Sequence, residues 1–474
     1  MASWSWHAKR ATVLGLAREG TAAVRFLVRE GAQVTASDLK GAEELGGPLS
    51  ELAGLAVSYR LGGHPPEILD TDVVFVSPGI PLDAPIVAEA RRRGVALCSE
   101  ARLFCRLCPA PIVGITGSSG KTTTATLAGK MIAAAGRRVH LGGNIGNPLL
   151  DRLPQIRPTD VVVAELSSFQ LDFFGPVLDG EPGGELGGTL FPAGGWSPAV
   201  AAVLNITPNH LDRHPTMESY CAAKAKILLY QKPEGHALLN RDDPASHRLK
   251  HVCPGRVAFF SMESLVAEGA HLRGDTLMLV QGGSERPVCD AGDLLLRGRH
   301  NVANVLAACA VSALMGASPA QMEGVARTFK GVEHRLEPVR ELLGVWYYND
   351  SIATSPERAV AALNSFTEPI VLLAGGRDKH LPWEDWAEAV GSKVAHVILF
   401  GEATSLIGGV LRRLGHAAPR TELAASLAEA VELARVAARP GQVVLFSPGG
   451  TSYDAFRDYE ERGRAFKALV NALG

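Results

Sequence analysis

Short apolar runs alternate with longer helical stretches along most of this chain, and few of the runs contain a polar position. Such runs predict strands, here at 11–16, 72–77, 112–116, 161–166, 200–206, 370–374, 394–400 and 443–447. A strand that is apolar on both sides is buried on both faces, as in a parallel sheet covered by helices. The pattern therefore predicts an α/β protein of the doubly wound type.

The chain has 474 residues, which at roughly 150 residues per domain suggests three domains. Pro109 and Pro111 interrupt the pattern before the strand at 112–116, and a further strand is expected at 345–349. We predict domains at 1–108, 109–332 and 333–474. The stretch 235–298 is irregular with short strand-like pieces, and the glycine-rich stretch 175–195 predicts a mobile surface loop.

The composition is that of a soluble globular protein, with 46% hydrophobic and 20% charged residues and a net charge of −2. This charge gives no electrostatic reason to expect a nucleic acid or an anionic membrane as partner. Residues 1–10 lack an apolar core, so we expect no secretory signal. The longest apolar stretch, 302–317, contains Asn304 and Ser312 and predicts a buried helix. Seven scattered cysteines suit reduced thiols in a cytoplasmic protein.

A glycine-rich segment at 114–123 follows a predicted strand and precedes a predicted helix at 124–135. Glycines let backbone N–H groups turn toward phosphate oxygens, and the helix N-terminus adds positive potential. Lys121 is expected at the β- and γ-phosphates and the Thr122 hydroxyl at Mg²⁺. The predicted ATP-binding residues of this segment are Gly117, Ser118, Ser119, Gly120, Lys121, Thr122 and Thr123.

Polar side chains follow three other predicted strands. Glu165 follows the strand at 161–164, His210 the strand at 200–206, and Asp350 the strand at 346–349. Ligands of doubly wound sheets bind at the carboxyl ends of strands. Together with the phosphate-binding loop, these residues predict a nucleotide–metal site.

The first segment has its own glycine loop, Gly15 to Gly20, and Asp38 ends the next strand. This pattern is weak, because Ala17 replaces the middle glycine, and on its own it is compatible with NAD binding. Glu19 places a negative charge in the loop.

Ten motifs, in order, resemble those of the Mur ligase family over nearly the whole chain. They are TGSSGKTT at 116–123, GGNIG at 142–146, AELSSFQLD at 164–172, NITPNHLDRH at 205–214, YCAAKAKI at 220–227, GRHNVANVLAA at 298–308, EHRLE at 333–337, NDSIATSPE at 349–357, GGRDK at 375–379 and SPGGTSYDAFRDYEERG at 447–463. The resemblance implies an N-terminal Rossmann-like domain, a central P-loop ATPase domain and a C-terminal Rossmann-like domain.

The resemblance also implies roles for individual residues of the ATPase site. Thr122 and Glu165 would bind one Mg²⁺, with His210 near a second. Lys224 matches a lysine that the family carbamylates, whose carbamate would contact the second metal. Lys121, His210 and Lys224 are thus the expected catalytic residues. The remaining expected nucleotide contacts are Asn304, Arg335 and Asp350, the last two contributed by the third domain as it closes over the second.

The closest resemblance is to members that join D-glutamate to UDP-N-acetylmuramoyl-L-alanine by way of an acyl-phosphate. The first domain would bind the uridine nucleotide and the third the D-glutamate, whose two carboxylates favour a cation with hydroxyl and amide donors. The implied substrate-binding residues are Asp38, Gly79, Asn144, Thr354, Lys379, Ser452 and Tyr453. We expect a cytoplasmic monomer that uses ATP and Mg²⁺, without membrane insertion or nucleic acid.

Three alternatives remain open from the residues. One is another amide ligase of the superfamily, such as a folylpolyglutamate synthase that joins L-glutamate to a folate. The second is a P-loop phosphotransferase or NTPase that needs no amine. The third is a nucleotide-sensing protein that uses its first domain to bind NAD.

Overall fold

The computed structural model of this chain describes residues 5–144, 148–175, 195–209, 213–296, 298–379, 381–415 and 418–474. The chain forms two compact units, Met1–Leu294 with Arg299–Thr328, and Leu295–Gly298 with Phe329–Gly474. None of the helices within the described ranges is long and apolar enough to cross a membrane. Most of the glycine-rich segment (176–194) and His210 lie outside the described residues.

A five-stranded parallel sheet opens the first unit, in the order β3-β2-β1-β4-β5. The strands are β1 (Arg10–Leu14), β2 (Gln33–Asp38), β3 (Val57–Leu61), β4 (Val73–Val76) and β5 (Ala96–Cys98). The helices are α1 (Arg18–Arg29), α2 (Gly46–Glu51), α3 (Pro85–Arg92) and α4 (Glu100–Leu107), with a 3-10 turn at Pro66–Leu69. The strand order reverses between β1 and β4, so the loops after these two strands flank the expected ligand position.

A nine-stranded sheet completes the first unit, in the order β14-β13-β12-β11-β10-β9-β6-β8-β7. The strands are β6 (Ile112–Thr116), β7 (Val139–Gly143), β8 (Val161–Glu165), β9 (Val200–Val203), β10 (His236–Asn240), β11 (Arg256–Ser261), β12 (Gly269–Arg273), β13 (Thr276–Gln281) and β14 (Ser284–Asp290). The strands from β7 to β12 are parallel, whereas β13 is antiparallel to both of its neighbours.

Helices cover this sheet and connect its strands. They are α5 (Lys121–Ala134), α6 (Ser168–Leu171), α7 (Met217–Leu229), α8 (Pro244–Arg248), α9 (Arg299–Leu314) and α10 (Pro319–Ala326), with 3-10 turns at Leu150–Gln155, Asp172–Phe174, Leu249–His251 and Ala291–Asp293. Helix α9 packs against α5, the helix that follows the glycine-rich segment after β6.

The second unit is built on a six-stranded sheet in the order β15-β16-β20-β17-β18-β19. The strands are β15 (Glu337–Leu342), β16 (Val345–Asn349), β17 (Ile370–Gly375), β18 (Val394–Phe400), β19 (Arg420–Ala424) and β20 (Val443–Gly449). All pair in parallel except β15 with β16. The helices are α11 (Pro356–Leu363), α12 (Glu384–Lys393), α13 (Thr404–Arg412), α14 (Leu427–Ala437) and α15 (Tyr459–Ala472).

The structure confirms the predicted α/β architecture with mostly parallel sheets. The interior strands β6, β8 and β17 are buried at every position, as their uninterrupted apolar sequences predict. The strand expected at 345–349 is β16, but it was expected to be the first strand of the third segment, and this was wrong because β15 precedes it. Charged Glu337, Arg340 and Glu341 interrupt the apolar residues of this edge strand, so it shows no apolar run.

Candidate active site

The phosphate-binding loop lies between β6 and α5, at the carboxyl edge of the central sheet. Gly120 has φ +78°, and a Cβ at this position would come within 2.3 Å of Asn304 Oδ1 on α9. Glycine is therefore required here both by the backbone conformation and by the approach of Asn304. The structure thus brings together Gly120, at the start of α5, and Asn304, on α9, which were both predicted to bind ATP. Thr123 lies buried in the first turn of α5.

Lysine and asparagine side chains hold this loop in shape. Lys121 Nζ donates to the carbonyl oxygens of Gly117 (2.8 Å) and Ser118 (3.2 Å). Asn205, which follows β9, accepts from Ser119 N at 2.9 Å and donates to Ser119 O at 3.2 Å. Asn205 was not predicted as a site residue, and its only sequence signal is its place at the start of the motif at 205–214.

Thr122 and Glu165 meet at the ends of α5 and β8, as predicted for a shared metal ion. Thr122 Oγ1 donates to Glu165 Oε2 at 2.8 Å. Asn144 Nδ2 donates to the other carboxylate oxygen, Oε1, at 3.0 Å. Glu165 is only 2% exposed, so these hydrogen bonds fix the direction of its carboxylate. A predicted substrate residue, Asn144, thereby belongs to the same cluster.

Lys224 lies inside the protein, whereas a lysine on a helix is by default expected to face solvent. It is 1% exposed, and its Nζ donates to Gly117 O at 3.0 Å and Thr116 Oγ1 at 3.4 Å. Burial, and next the charge of Lys121, lowers the pKa of Lys224 from 10.5 to about 7. The amine is therefore substantially neutral near pH 7.

Tyr220, one turn before Lys224 on α7, links it to the loop. The ammonium of Lys224 lies 4.7 Å from the centre of the Tyr220 ring. The Tyr220 hydroxyl is 3.2 Å from Ser118 Oγ. Sequence reasoning gave Tyr220 no role, although it begins the motif at 220–227.

His210 lies outside the described residues, whereas His214 in the same motif is described. Its Nε2 lies 3.0 Å from Ser168 Oγ, and its ring stacks on Phe169 at 5.4 Å. Burial lowers the pKa of His214, so the imidazole is neutral near pH 7. His214 is thus packed beside the strand end that carries Glu165.

The glycine loop of the first sheet is tightly constrained. A Cβ on Gly20 would come within 1.8 Å of Gly15 O, and Ser77 Oγ donates to the same oxygen at 2.7 Å. Asp38 accepts from Leu16 N (2.7 Å) and Lys40 N (2.9 Å). Both oxygens of Asp38 therefore hold the loops that would surround the uridine nucleotide.

Gly79, another predicted substrate residue, follows β4. Its carbonyl oxygen accepts from Arg213 Nη1 at 3.2 Å. Arg213 follows directly on the segment that contains His210, and its guanidinium lies over the Phe169 ring at 4.6 Å. Arg213 thus connects the loop after β4 of the five-stranded sheet with the helix that follows β8 of the central sheet.

The carboxylate of Glu19 contacts the helix that follows β8. Its Oε1 accepts from Gln170 Nε2, on α6, at 2.7 Å. Burial raises the pKa of Glu19 from 4.5 to about 7, against the effect of the Gln170 hydrogen bond. Burial, and next the proximity of Glu19, also raises the pKa of Glu100 well above its usual value. Two carboxyl groups in one apolar setting resist ionising together.

In the second unit, Asp350 is buried at the end of β16. Its Oδ2 accepts from Ser447 Oγ at 2.8 Å and its Oδ1 from Leu336 N at 3.2 Å. Burial raises the pKa of Asp350 from 3.8 to about 7 despite these two donors. Arg335 lies between His334 and Leu336, which have φ +64° and +43°. The hydrogen bond from Leu336 N thus brings Asp350 against the loop that carries Arg335, the other predicted nucleotide residue of this unit.

Predicted glutamate-binding residues follow β16, β17 and β20. Lys379 Nζ is 3.5 Å from Thr354 Oγ1, which brings the predicted cation to a predicted hydroxyl. Burial, and next the charge of Arg358, lowers the pKa of Lys379. Ser452 is buried, whereas the side chain of Tyr453 is 63% exposed. The family resemblance implies that Tyr453 contributes through its backbone, and its exposed side chain is compatible with this.

Models of three Mur ligase domains match the chain. The Mur ligase MurD-like N-terminal domain matches residues 9–99, the Mur ligase middle domain residues 192–312, and the Mur ligase glutamate ligase domain residues 334–450.

Curated relatives match over almost their full length. The UDP-N-acetylmuramoylalanine--D-glutamate ligase of Symbiobacterium thermophilum is 44% identical over 468 residues, which cover 98% of each chain. The enzyme of the same name from Geobacter metallireducens is 42% identical, again over 98% of each chain.

Solved structures share the fold at lower identity. The UDP-N-acetylmuramate-alanine ligase of Thermotoga maritima has a TM-score of 0.57 and 18% identity, covering 98% of this chain and 100% of its own. MurF from Acinetobacter baumannii has a TM-score of 0.57 and 18% identity, with 97% and 93% covered.

Proposed function

This chain belongs to the Mur ligase family, and we propose that it joins D-glutamate to UDP-N-acetylmuramoyl-L-alanine in an ATP-dependent step of peptidoglycan precursor synthesis. Relatives that match almost the whole chain carry this activity in their names. The match of residues 9–99 to a MurD-like N-terminal domain supports this choice. A folylpolyglutamate synthase begins directly with its ATPase domain.

The central sheet would bind ATP through its glycine-rich loop. Backbone N–H groups of 117–120 and the N-terminus of α5 favour phosphate oxygens. Lys121 Nζ, which now donates to Gly117 O and Ser118 O, would exchange these neutral acceptors for the β- and γ-phosphates. A hydrogen bond from the lysine to a charged phosphate oxygen is stronger than one to a neutral carbonyl oxygen. Asn304, Arg335 and Asp350 are the further proposed nucleotide contacts.

The donor atoms at Thr122 and Glu165 fit Mg²⁺. A hydroxyl and one carboxylate oxygen lie 2.8 Å apart, and Mg²⁺ in ATP sites takes one or two carboxylates together with phosphate oxygens. Phosphate oxygens of the nucleotide and water would supply the further ligands. Bound Mg²⁺ would neutralise charge on the transferring phosphate. His210 and a carbamylated Lys224 are proposed near a second ion.

The reaction requires two bond-forming steps. A carboxylate oxygen of the substrate alanine attacks the γ-phosphorus and ADP leaves, which gives an acyl-phosphate. The amine of D-glutamate, after losing its proton, attacks the acyl carbon, and the tetrahedral intermediate expels phosphate. Lys121 reduces the repulsion between the two anions in the first step. Lys379, with the hydroxyls of Thr354 and Ser452, would hold the glutamate carboxylates and so aim the amine.

One observation favours a ligase over a plain P-loop NTPase, namely the buried amine of Lys224 against the phosphate loop. An uncharged amine at this position is reactive toward CO₂, whereas a charged one is not. A phosphatase-like reaction of ATP has no evident use for a lysine whose charge is suppressed in this way.

Phosphate release tests the proposal directly. Purified protein is mixed with ATP, Mg²⁺ and UDP-N-acetylmuramoyl-L-alanine, and D-glutamate, L-glutamate and no amine are compared. We expect release only with D-glutamate. Release that ignores the amine would identify an NTPase, and preference for L-glutamate would move the chain to another branch of the family.

The proposal also includes a monomeric enzyme in the cytoplasm, where ATP and nucleotide-linked precursors are available. Sedimentation and cell fractionation test these two points.

A further inference from the structure

The guanidinium of Arg462, on α15, is fully buried in the second unit. The residue is 0% exposed and is among the largest fully buried side chains of the described chain. Its hydrogen bonds go to a hydroxyl and to two carbonyl oxygens rather than to a carboxylate. Burying an arginine in this way is unfavourable unless every donor finds a partner. Its surroundings must therefore be well ordered.

Those partners lie on two loops at the carboxyl edge of the sheet. Arg462 Nε donates to Ser351 Oγ at 3.1 Å, and Nη2 donates to Ser351 O at 2.9 Å, in the loop after β16. Nη1 donates to Gly450 O at 3.1 Å, in the loop after β20. Ser351 Oγ in turn donates to Tyr459 O at 2.7 Å, at the start of α15. One planar group thus joins two strand ends to one helix.

A third loop packs directly against the same guanidinium. A Cβ on Gly376, after β17, would come within 2.9 Å of Arg462 Nη1 and 2.2 Å of Thr451 O. The backbone of Arg377 pairs with that of Thr451 in both directions, at 2.9 and 2.8 Å. The loops after β16, β17 and β20 therefore meet around Arg462 with no room for a side chain at Gly376.

These three loops carry the residues proposed above to bind substrates. Asp350 and Thr354 lie in the same loop as Ser351. Lys379 lies in the loop of Gly376, and Ser452 lies in the loop of Gly450. We propose that Arg462 is a positioning residue for the ligation reaction, holding the three loops at the spacing that the glutamate carboxylates require. This inference rests on the proposed function of Thr354, Lys379 and Ser452.

Arginine suits this task better than lysine. Its guanidinium presents five N–H donors in a rigid, planar fork. The ammonium of a lysine has three donors on a single nitrogen, so it cannot reach acceptors in two loops in the same way. The Phe446 ring centre lies 5.9 Å from Arg462 Cζ. Burial lowers the pKa of Arg462 to about 10, so the group is still protonated near neutral pH and keeps all of its donors.

The test compares Arg462→Lys and Arg462→Met with Arg464→Lys. Arg464 lies on the same helix with a half-exposed side chain that pairs with Glu460, which makes it a matched control. A third variant, Ser351→Ala, removes the hydroxyl that accepts from Arg462 and donates to Tyr459 O, and it covers the case in which Arg462→Met does not fold. Each protein is assayed for the KM of D-glutamate, the affinity for UDP-N-acetylmuramoyl-L-alanine, and amide hydrogen exchange.

We expect the KM for D-glutamate to rise about tenfold or more in Arg462→Lys, since hydrogen bonds of a charged group are lost. The Arg462→Met variant should be worse and Ser351→Ala milder. Affinity for the uridine nucleotide should not change, because its proposed site belongs to the other unit. Hydrogen exchange should rise at 350–354, 376–379 and 449–453, and Arg464→Lys should match the wild type.

Two results would overturn the inference. One is a wild-type KM with unchanged exchange in Arg462→Lys. The other is an equal rise in exchange over the whole sheet, with all substrates affected alike, which would make Arg462 merely structural. Failure of the proposed function is distinguishable, since it appears as wild-type protein that ignores D-glutamate, while the exchange data still test loop positioning.

Discussion

The amine of Lys224 should react with CO₂ near neutral pH, whereas an ordinary lysine should not. Carbamate formation needs the neutral amine. With a pKa of about 7, roughly three quarters of the amine is neutral at pH 7.5. With the usual pKa near 10.5, only about 0.1% would be neutral. Burial of Lys224 against Gly117 and Thr116 thus raises the reactive fraction by nearly a thousandfold.

The assay is ¹³C NMR of protein equilibrated with ¹³C-labelled CO₂ at constant dissolved concentration. Carbamate formation consumes the neutral amine and releases a proton, so the signal is compared at a fixed pH of about 7.5, where wild-type protein should show one carbamate signal. Lys224→Ala should lose the signal. Lys226→Ala is the matched control, because Lys226 pairs with Asp172 at 2.9 Å, and it should keep the signal.

The ligase activity should depend on the same lysine, Lys224. Lys224→Ala should be nearly inactive, with partial recovery on adding short-chain carboxylic acids that replace the carbamate. A carbamate signal that survives in Lys224→Ala would refute the reasoning. So would the absence of a carbamate signal from wild-type protein at about pH 7.5, because Lys224 would then have an ordinary pKa and almost no neutral amine.

The remaining predictions concern the loop and the buried carboxyl group. Lys121→Ala should lower turnover by about 100- to 1000-fold or more with an unchanged circular dichroism spectrum, and near-wild-type turnover would exclude its phosphate role. Gly120→Ala should weaken ATP binding and lower stability by about 1–3 kcal/mol, measured by calorimetry, because its Cβ would meet Asn304 Oδ1; an unaffected variant would show that the turn adapts. Asp350 keeps a proton up to a pKa of about 7 in the folded protein, but the unfolded chain loses it near pH 4. Its contribution to stability therefore falls as pH rises from 4 to 7, by up to about 1.4 kcal/mol per pH unit, and Asp350→Asn should flatten this part of the unfolding profile; an unchanged slope would contradict the shift.

The central elements could be predicted from the sequence because their patterns are local. The strands at 112–116 and 394–400 were predicted with the boundaries that the structure has. The helix predicted at 302–317 is α9, Arg299–Leu314. Edge strand β15 was missed because its charged residues break the apolar pattern. Whether a mixed sequence of this kind forms a strand depends on the residues that pack against it in the folded chain, and its own sequence does not show them.

Residues of the candidate site could be predicted from the sequence only where a family motif includes them. Thr122 and Glu165 come together as expected, and so do Lys379 and Thr354. The burial of Lys224 depends on the packing of α7 against β6, β9 and α6, so the sequence of its own helix gives no sign of it. The contact of Glu19 with Gln170 joins α1 to α6, two helices that follow strands of different sheets, which sequence spacing does not show.

The central claim, ligation through an acyl-phosphate, is tested most directly with ¹⁸O in both carboxylate oxygens of UDP-N-acetylmuramoyl-L-alanine. In the proposed reaction one carboxylate oxygen becomes the bridging oxygen of the acyl-phosphate and leaves with the phosphate. Each phosphate released with D-glutamate should therefore carry one ¹⁸O by mass spectrometry, and the amide product should retain the other. Unlabelled phosphate would mean that water attacks ATP, and the account of this chain as a ligase would be contradicted.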